Sequence, residues 1–485
     1  MNNTKLLVAS FLTILVAGLG FAVRGGLLLE WGNAFGFTQT ELGQITGGGL
    51  AGFGIVILIA SLFLDRFGYR PFLLLAGVLH VGSVILTVSA TFVYGAAVDA
   101  DPEAAKSAAY FALFWGIFMF SVANGICEAV VNPLIATVYS KQKTHYLNIL
   151  HAGWPGGMII GALLGVALIG RVRWEIVLSL YLVPTLVYLL MIAKEKFPAS
   201  EATAAGVSFG EMLKEFAAPM LLLLLVLHAC IGYVELGTDS WIVNIMDIAL
   251  GGKGLFILLY TSILMFTLRF FAGPIVHRIN PLGLLFVSAV LAVIGLYSLG
   301  SFSTGVAIMV AATVYGLGKT FFWPTMLGVV SERFPRGGAL TLGAIGAVGM
   351  LSAGFLGGPG IGYTQDRFAS QNLRESSPEL YQQYAAEGTN RFLFLSPVQG
   401  LDGSKAGAVL EKARDSTQIL NEEEQAVKDA SFYGGQMALK VTAIVPAVMA
   451  LGFLLLIVYF RMKGGYTQIV LSSASESEPP AMEEV

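Results

Sequence analysis

The 485-residue chain is 56% hydrophobic and 12% charged, with a formal net charge of −3, and its mean hydropathy is +0.75. A water-soluble domain carries roughly 25% charged residues, so this balance excludes an ordinary soluble fold. No basic stripe exists, which excludes nucleic acid as a partner.

A helix crossing about 30 Å of hydrocarbon needs about 20 mostly apolar residues, and each span must be helical because lipid offers the backbone no partners. Such runs are predicted at 6–29, 42–64, 71–94, 108–139, 146–170, 174–193, 217–248, 254–276, 282–300, 304–330, 337–361 and 436–460. The first could be read as a signal peptide but is expected to be a span, because its apolar run continues past Phe21, lacks a clear small-residue cleavage site and is followed by many further spans. Cys127 and Cys230 stand inside apolar runs and are expected in the core without disulfide or metal.

Three polar segments divide the chain. Residues 1–193 are expected to form an N-terminal six-helix half, 194–215 a charged linker and 216–463 a C-terminal six-helix half. Residues 365–432, rich in Gln, Glu, Ser and Ala, interrupt the second half as a small outer cap with helical stretches such as Ala406–Asp429. The Ser- and Glu-rich tail 464–485 is expected to be disordered.

Orientation follows from Lys and Arg in short loops. With the N-terminus inside, the inner segments hold Lys5, Arg66, Arg70, Lys141, Lys143, Lys194, Lys196, Lys214, Arg278, Arg333, Arg336, Arg461 and Lys463. The short outer loops hold only Lys106, Arg171, Arg173 and Lys253. Both termini are therefore expected in the cytoplasm of a multi-pass plasma or inner membrane protein, read as a monomer.

An internal repeat relates the halves. Gly125-Ile-Cys-Glu128-Ala-Val-Val-Asn132-Pro133 in span four matches Gly316-Leu-Gly-Lys319-Thr-Phe-Phe-Trp323-Pro324 in span ten. Likewise His151-Ala152 … Gly157-Met158 of span five sets beside Gly343-Ala344 … Gly349-Met350 of span eleven. The order is the same in both, so the repeat is parallel, related by an axis along the membrane normal.

Leu64-Asp65-Arg66-Phe67-Gly68-Tyr69-Arg70-Pro71, between spans two and three, resembles the loop signature of the major facilitator superfamily. Gly273-Pro274-Ile275-Val276-His277-Arg278-Ile279-Asn280-Pro281 is a degraded copy in the second half. Within that superfamily, Glu128-Ala-Val-Val-Asn132-Pro133 and Leu147-Asn148-Ile-Leu-His151 are similar to the L-fucose:proton symporter family of sugar permeases. Span one departs from that family, with Arg24-Gly25-Gly26 near the place of its intramembrane acid. The resemblance implies an all-α fold of twelve transmembrane helices in two pseudo-symmetric halves. It also implies alternating-access transport, with Asp65, Arg66, Gly68 and Arg70 in conformational gating.

An ionisable residue at bilayer depth costs several kcal/mol unless paired or facing water, so each is a candidate for function. Arg24, Glu128, Glu235, Asp239 and Lys319 meet that description. Glu128 and Lys319 each stand eleven residues before the inner end of their span, which is near the midplane. Asn124, Glu128 and Asn132 recur at i, i+4 and i+8 as one polar stripe able to bind hydroxyls. Trp241 and Trp323 offer flat faces to a pyranose ring, Asn244 a further amide, and Asn148 and His151 complete the candidate substrate and proton set. Each has a plainer reading. Glu128 with Lys319 or with Arg24 reads equally as a structural ion pair, and the tryptophans as packing residues. His151 and His228 read as hydrogen-bonded core histidines as well as proton carriers. Arg269 is expected near the inner end of span eight, as a gating or snorkelling group. Glycines at 157, 161 and 165, at 343, 346 and 349, and at 354 and 357 allow close helix contacts.

Gly318-Lys319-Thr320 is not a phosphate loop, since position 313 is Thr. With no nucleophile–base set, metal cluster or nucleotide motif, neither enzyme activity nor a cofactor is expected. Two basic groups, Arg24 and Lys319, face three acids, Glu128, Glu235 and Asp239, leaving one acid free to carry a proton. The leading expectation is a proton-coupled carrier of a small solute, a sugar. A sodium-coupled carrier, a uniporter and a non-transporting sensor on the same fold remain alternatives.

Overall fold

The computed structural model describes residues 2–37, 39–414 and 418–471, and among them the only regular secondary structure is helical. Twelve spans follow in order: α1 (Asn3–Phe35), α2 (Gln39–Phe67), α3 (Tyr69–Ala97), α4 (Pro102–Val138), α5 (Lys143–Leu168) and α6 (Trp174–Ile192). The second half holds α7 (Pro219–Leu250), α8 (Gly254–Arg269, resuming as 272–279), α9 (281–299), α10 (Gly305–Arg333), α11 (Pro335–Ser376) and α12 (Glu422–Met462).

Prolines set the breaks inside several spans, because each removes the amide that should bond the carbonyl four residues earlier. α5 loosens at Ala152, three residues before Pro155, and α10 at Thr320–Phe321, just before Pro324. α12 is broken at Ala443, ahead of Pro446. Between α8 and α9 the chain turns at Asn280, whose φ of 54° interrupts an otherwise helical stretch. Gly68 turns α2 into α3 at φ 75°, a left-handed value that glycine adopts without strain.

Within the first half α1 packs along α5, and α4 against α2 and α3; within the second, α9 packs on α10 and α12, and α7 on α11. Across the halves α2 lies along α11, while α5 meets α8 and α10. Small residues permit these approaches. A Cβ at Gly157 would overlap the Leu15 carbonyl of α1, and one at Gly343 would overlap the Ser61 hydroxyl of α2. The outer surface is apolar: Val78, Ile85 and Phe92 form one stripe of α3 at 65–67% exposure. Stripes of this kind face lipid, and the chain is a multi-pass membrane protein.

The two ends of the bundle differ. At one end the segment between halves folds into short helices Glu201–Ala204 and Phe209–Lys214; this is the linker side. At the opposite, cap side, much of 365–432 is not a separate insertion. α11 continues to Ser376 and α12 begins at Glu422, because the polar stretches keep helical propensity beyond the apolar core. Only the part between them forms a cap, with helices Pro378–Tyr384 and Gly403–Arg414 around Leu373, Leu380, Tyr381, Val409 and Val427. Arg414 ties it to α7 by a 2.9 Å bridge to Asp247.

The tail is also ordered further than its composition implies. Tyr466 donates to Glu332 Oε2 at 2.7 Å, Ile469 N–H to the Glu332 carbonyl at 2.8 Å, and Gln468 to the Ser140 carbonyl at 2.6 Å. The expected disorder at 472–485 lies outside the described residues.

Candidate functional site: a buried charge cluster beneath a central cavity

A cavity of about 830 Å³ lies between the halves. Its walls come from mid-depth and the cap-side ends of α1, α2, α4, α5, α7 and α8, with Arg24, Ser121, Asn124, Trp154 and Asp239 among them. Below it, sharing Ala17, Phe53, Asn124 and Trp154, sits a small cavity of about 30 Å³. Glu128, His151, Glu235, Arg269 and Trp323 line that lower chamber.

The polar stripe of α4 points inward because the other faces of that helix are packed by α1, α2, α3 and α11. Glu128 Oε1 accepts from Trp323 Nε1 at 3.1 Å and from Asn132 Nδ2 at 3.1 Å. His151 Nε2 lies 2.8 Å from Asn132 Oδ1 and 3.6 Å from Glu128 Oε1. Asn124 accepts at Oδ1 from His80, 3.0 Å away. Thus Asn124, Glu128, Asn132, His151 and Trp323 come together as one set.

Glu128 is paired with neither Lys319 nor Arg24. Lys319 is instead bound to Asp239 at 2.5 Å, since Lys319 and α7 share the same half. Arg269 is not at the inner end of its span. α8 resumes beyond Phe270–Phe271, so Arg269 lies about ten residues, roughly 15 Å, inside it. It is 1% exposed and fully engaged. Nη2 donates to Glu235 at 3.1 Å, Nη1 to the His151 carbonyl at 2.6 Å and Nε to the Thr320 carbonyl at 2.8 Å. Those two carbonyls are the ones that Pro155 and Pro324 leave without a helical amide.

Around the cavity, among the described residues, three cations (Arg24, Arg269, Lys319) therefore stand against three acids (Glu128, Glu235 and the partly buried Asp239). Two pairs, Lys319–Asp239 and Arg269–Glu235, neutralise four of them. Glu128 has no Lys or Arg nitrogen within 4 Å among the described residues, and Arg24 has no carboxylate.

Three expected ligands lie elsewhere. Asn148 donates to the Thr144 carbonyl at 2.8 Å and to Thr325 Oγ1 at 3.2 Å, on the linker side. Trp241 Nε1 donates to the Gly358 carbonyl at 2.9 Å, where its ring packs on Gly362 of α11. Asn244 is exposed. His228 is buried against Trp323, ring centroids 4.6 Å apart, with neither nitrogen hydrogen-bonded. His80, Ser83 and Tyr181, which hold Asn124 and Arg24, were not picked out by sequence because lone polar residues in apolar runs carry no pattern.

Toward the linker side the halves are bonded shut. Thr144 Oγ1 donates to Glu332 at 2.6 Å, and Lys143 Nζ donates to the Ser331 carbonyl at 3.0 Å and pairs with Glu201 at 2.5 Å. Asp65 lies at this seam but is not held by basic side chains. Its carboxylate accepts from the Ser200 and Thr203 hydroxyls and from the backbone N–H of Ala339, at the start of α11. Arg66 is exposed, and Arg70 donates to the Ala193 carbonyl at the end of α6.

The sequence matches the model of the Major Facilitator Superfamily over residues 10–358. No curated protein sequence resembles the chain closely enough to count as a match. The fold is similar to the E. coli fucose:proton symporter at 15% identity and a TM-score of 0.62, covering 93% of this chain and 98% of that one. It is similar to the proton:xylose symporter XylE at 13% identity and 0.66, covering 93% and 94%. A bacterial homolog of the human lysosomal transporter Spinster, inward-facing and unoccupied, matches at 15% identity and 0.64, covering 93% and 96%. Identities this low speak for the fold alone. The family match spans well over half of the sequence, and the chain belongs to the major facilitator superfamily.

Proposed function

We propose that this chain is a secondary active transporter that moves a small polar solute, a sugar or a related polyhydroxylated compound, by alternating access with proton coupling. The observation that carries the reading is the central cavity: solute-sized, walled by both halves, and set above a small chamber that holds Glu128, the one acid of the cluster without a Lys or Arg partner. Ligand pockets of roughly 300–1,000 Å³ suit small molecules.

In this scheme the solute enters from the cap side while the linker-side seam is closed. Glu128, held by Trp323, Asn132 and His151, takes up a proton as solute binds. Loss of its charge weakens the tie from Trp323 of the opposite half, and the halves rock. The bonds at Thr144–Glu332, Lys143–Ser331 and Asp65–Ala339 then open on the linker side, taken as cytoplasmic in this scheme on the support of the Lys/Arg asymmetry. Sites near the midplane at the interface between repeats are the general arrangement in such carriers. That two of the similar structures are named as proton-coupled sugar symporters supports the reading without extending their substrates to this chain.

The test is uptake into proteoliposomes under an imposed pH gradient, acid outside, with labelled hexoses and pentoses. Accumulation that collapses with a protonophore is the expected result. Binding without exchange would make the protein a sensor, and accumulation driven by sodium alone would overturn proton coupling.

A further inference from the structure

Arg24 is 4% exposed at mid-depth and lines the central cavity. All its partners are neutral: Nη2 donates to Ser83 Oγ at 3.0 Å and to the Tyr181 hydroxyl at 3.2 Å, and Nη1 to the Gly20 carbonyl at 3.3 Å. Nε has no partner. The guanidinium lies over the Phe120 ring, 3.7 Å from its centroid, which holds its plane. A buried cation without a counter-charge is costly, and the usual remedy is an acid within about 4 Å. Here Asp239 is committed to Lys319, Glu235 to Arg269, and Glu128 to neutral donors below.

We propose that the missing counter-charge comes with the solute: an oxyanion, carboxylate or phosphate, that pairs with Arg24 while the polyhydroxylated body reaches toward Ser121 and Asn124. A planar, pre-oriented guanidinium is suited to a two-oxygen anion. The inference rests on the carrier reading, and it narrows the solute from sugars in general to sugar acids or sugar phosphates. With Glu128 protonated, as in the carrier scheme, the anion would pair the one cation left over and bring the set to neutrality.

The experiment compares matched probes on the purified full chain in detergent: glucose, glucuronate and glucose 6-phosphate, read by thermal shift. One acid should bind at least about tenfold more tightly than glucose, a difference of about 1.4 kcal/mol. Preference for glucuronate marks a carboxylate site, and preference for glucose 6-phosphate a phosphate site. Arg24→Gln should abolish the preference for the acid, and Arg24→Lys should keep it with weaker binding. Equal binding of acid and neutral probes overturns the inference, as does no shift with either acid. So does a preference that survives Arg24→Gln, or, should that variant not fold, one that Arg24→Lys leaves at full strength. Counterflow separates this from the carrier reading. An acid that binds but never exchanges leaves the Arg24 site standing and removes transport. Exchange of glucose without either acid does the reverse.

Discussion

Arg269 of α8 donates to the carbonyl of His151 in α5 across 2.6 Å, bonding one half of the molecule to the other beneath the cavity. The acceptor exists because Pro155 has no amide to offer it, and a second Pro-freed carbonyl, Thr320, takes the Nε of the same arginine. Sequence chemistry in two separate helices thus creates the socket that one side chain fills.

Pro155→Ala should return a helical amide to the His151 carbonyl and compete with Arg269. We expect exchange to fall by about tenfold, a change of about 1.4 kcal/mol in the barrier, with thermal stability unchanged or raised. Arg269→Lys should lose more, because an ammonium cannot span both carbonyls and Glu235. Counterflow rates check both, and normal rates in Pro155→Ala would remove the socket from the transport cycle.

Glu128→Gln keeps the shape that receives Trp323 and Asn132 but cannot ionise. The variant should exchange solute down its gradient and fail to concentrate it. Concentrative uptake by the Gln form under a pH gradient would assign the proton to Glu235 or Asp239.

Asp65→Asn weakens a carboxylate that meets the first turn of α11, where a helix N-terminus favours negative charge. Transport should slow strongly while solute affinity changes less than about threefold, or about 0.7 kcal/mol. A large loss of affinity at a normal maximal rate would place Asp65 in binding instead.

Two glycine substitutions should separate packing from gating. Gly157→Ala drives a methyl into the Leu15 carbonyl within one half, so it should lower the melting temperature. Gly343→Ala meets the Ser61 hydroxyl across the halves, so it should hinder linker-side closure. A cysteine near the linker-side seam would then label faster with little loss of stability. The same behaviour from both variants would refute the distinction.

Ser404 is exposed on the cap helix Gly403–Arg414. A single cysteine there, in a background lacking Cys127 and Cys230, should react with an impermeant maleimide on intact cells. Labelling only after lysis would invert the topology.

The spans, their parallel repeat and the polar stripe of α4 were legible in the sequence, because the requirement for about 20 apolar residues per helix acts locally. The stripe's partners were not: the repeat set Glu128 opposite Lys319, whereas the packed helices bring Trp323 to Glu128 and Lys319 to Asp239. The extent of α11 and α12 was not legible, since nothing in the hydropathy marks where helices continue beyond lipid. Nor could the path of the tail be read: Tyr466 and Gln468 find their acceptors on residues far away in sequence.

What the chain determined by itself was which residues enter the membrane and which of them carry charge. What only the tertiary structure decided was who pairs with whom. Lys319 takes Asp239 and Arg269 takes Glu235, so Glu128 and Arg24 are left over. Ion pairing at depth depends on distances of a few ångströms between helices distant in sequence, and no linear pattern encodes those.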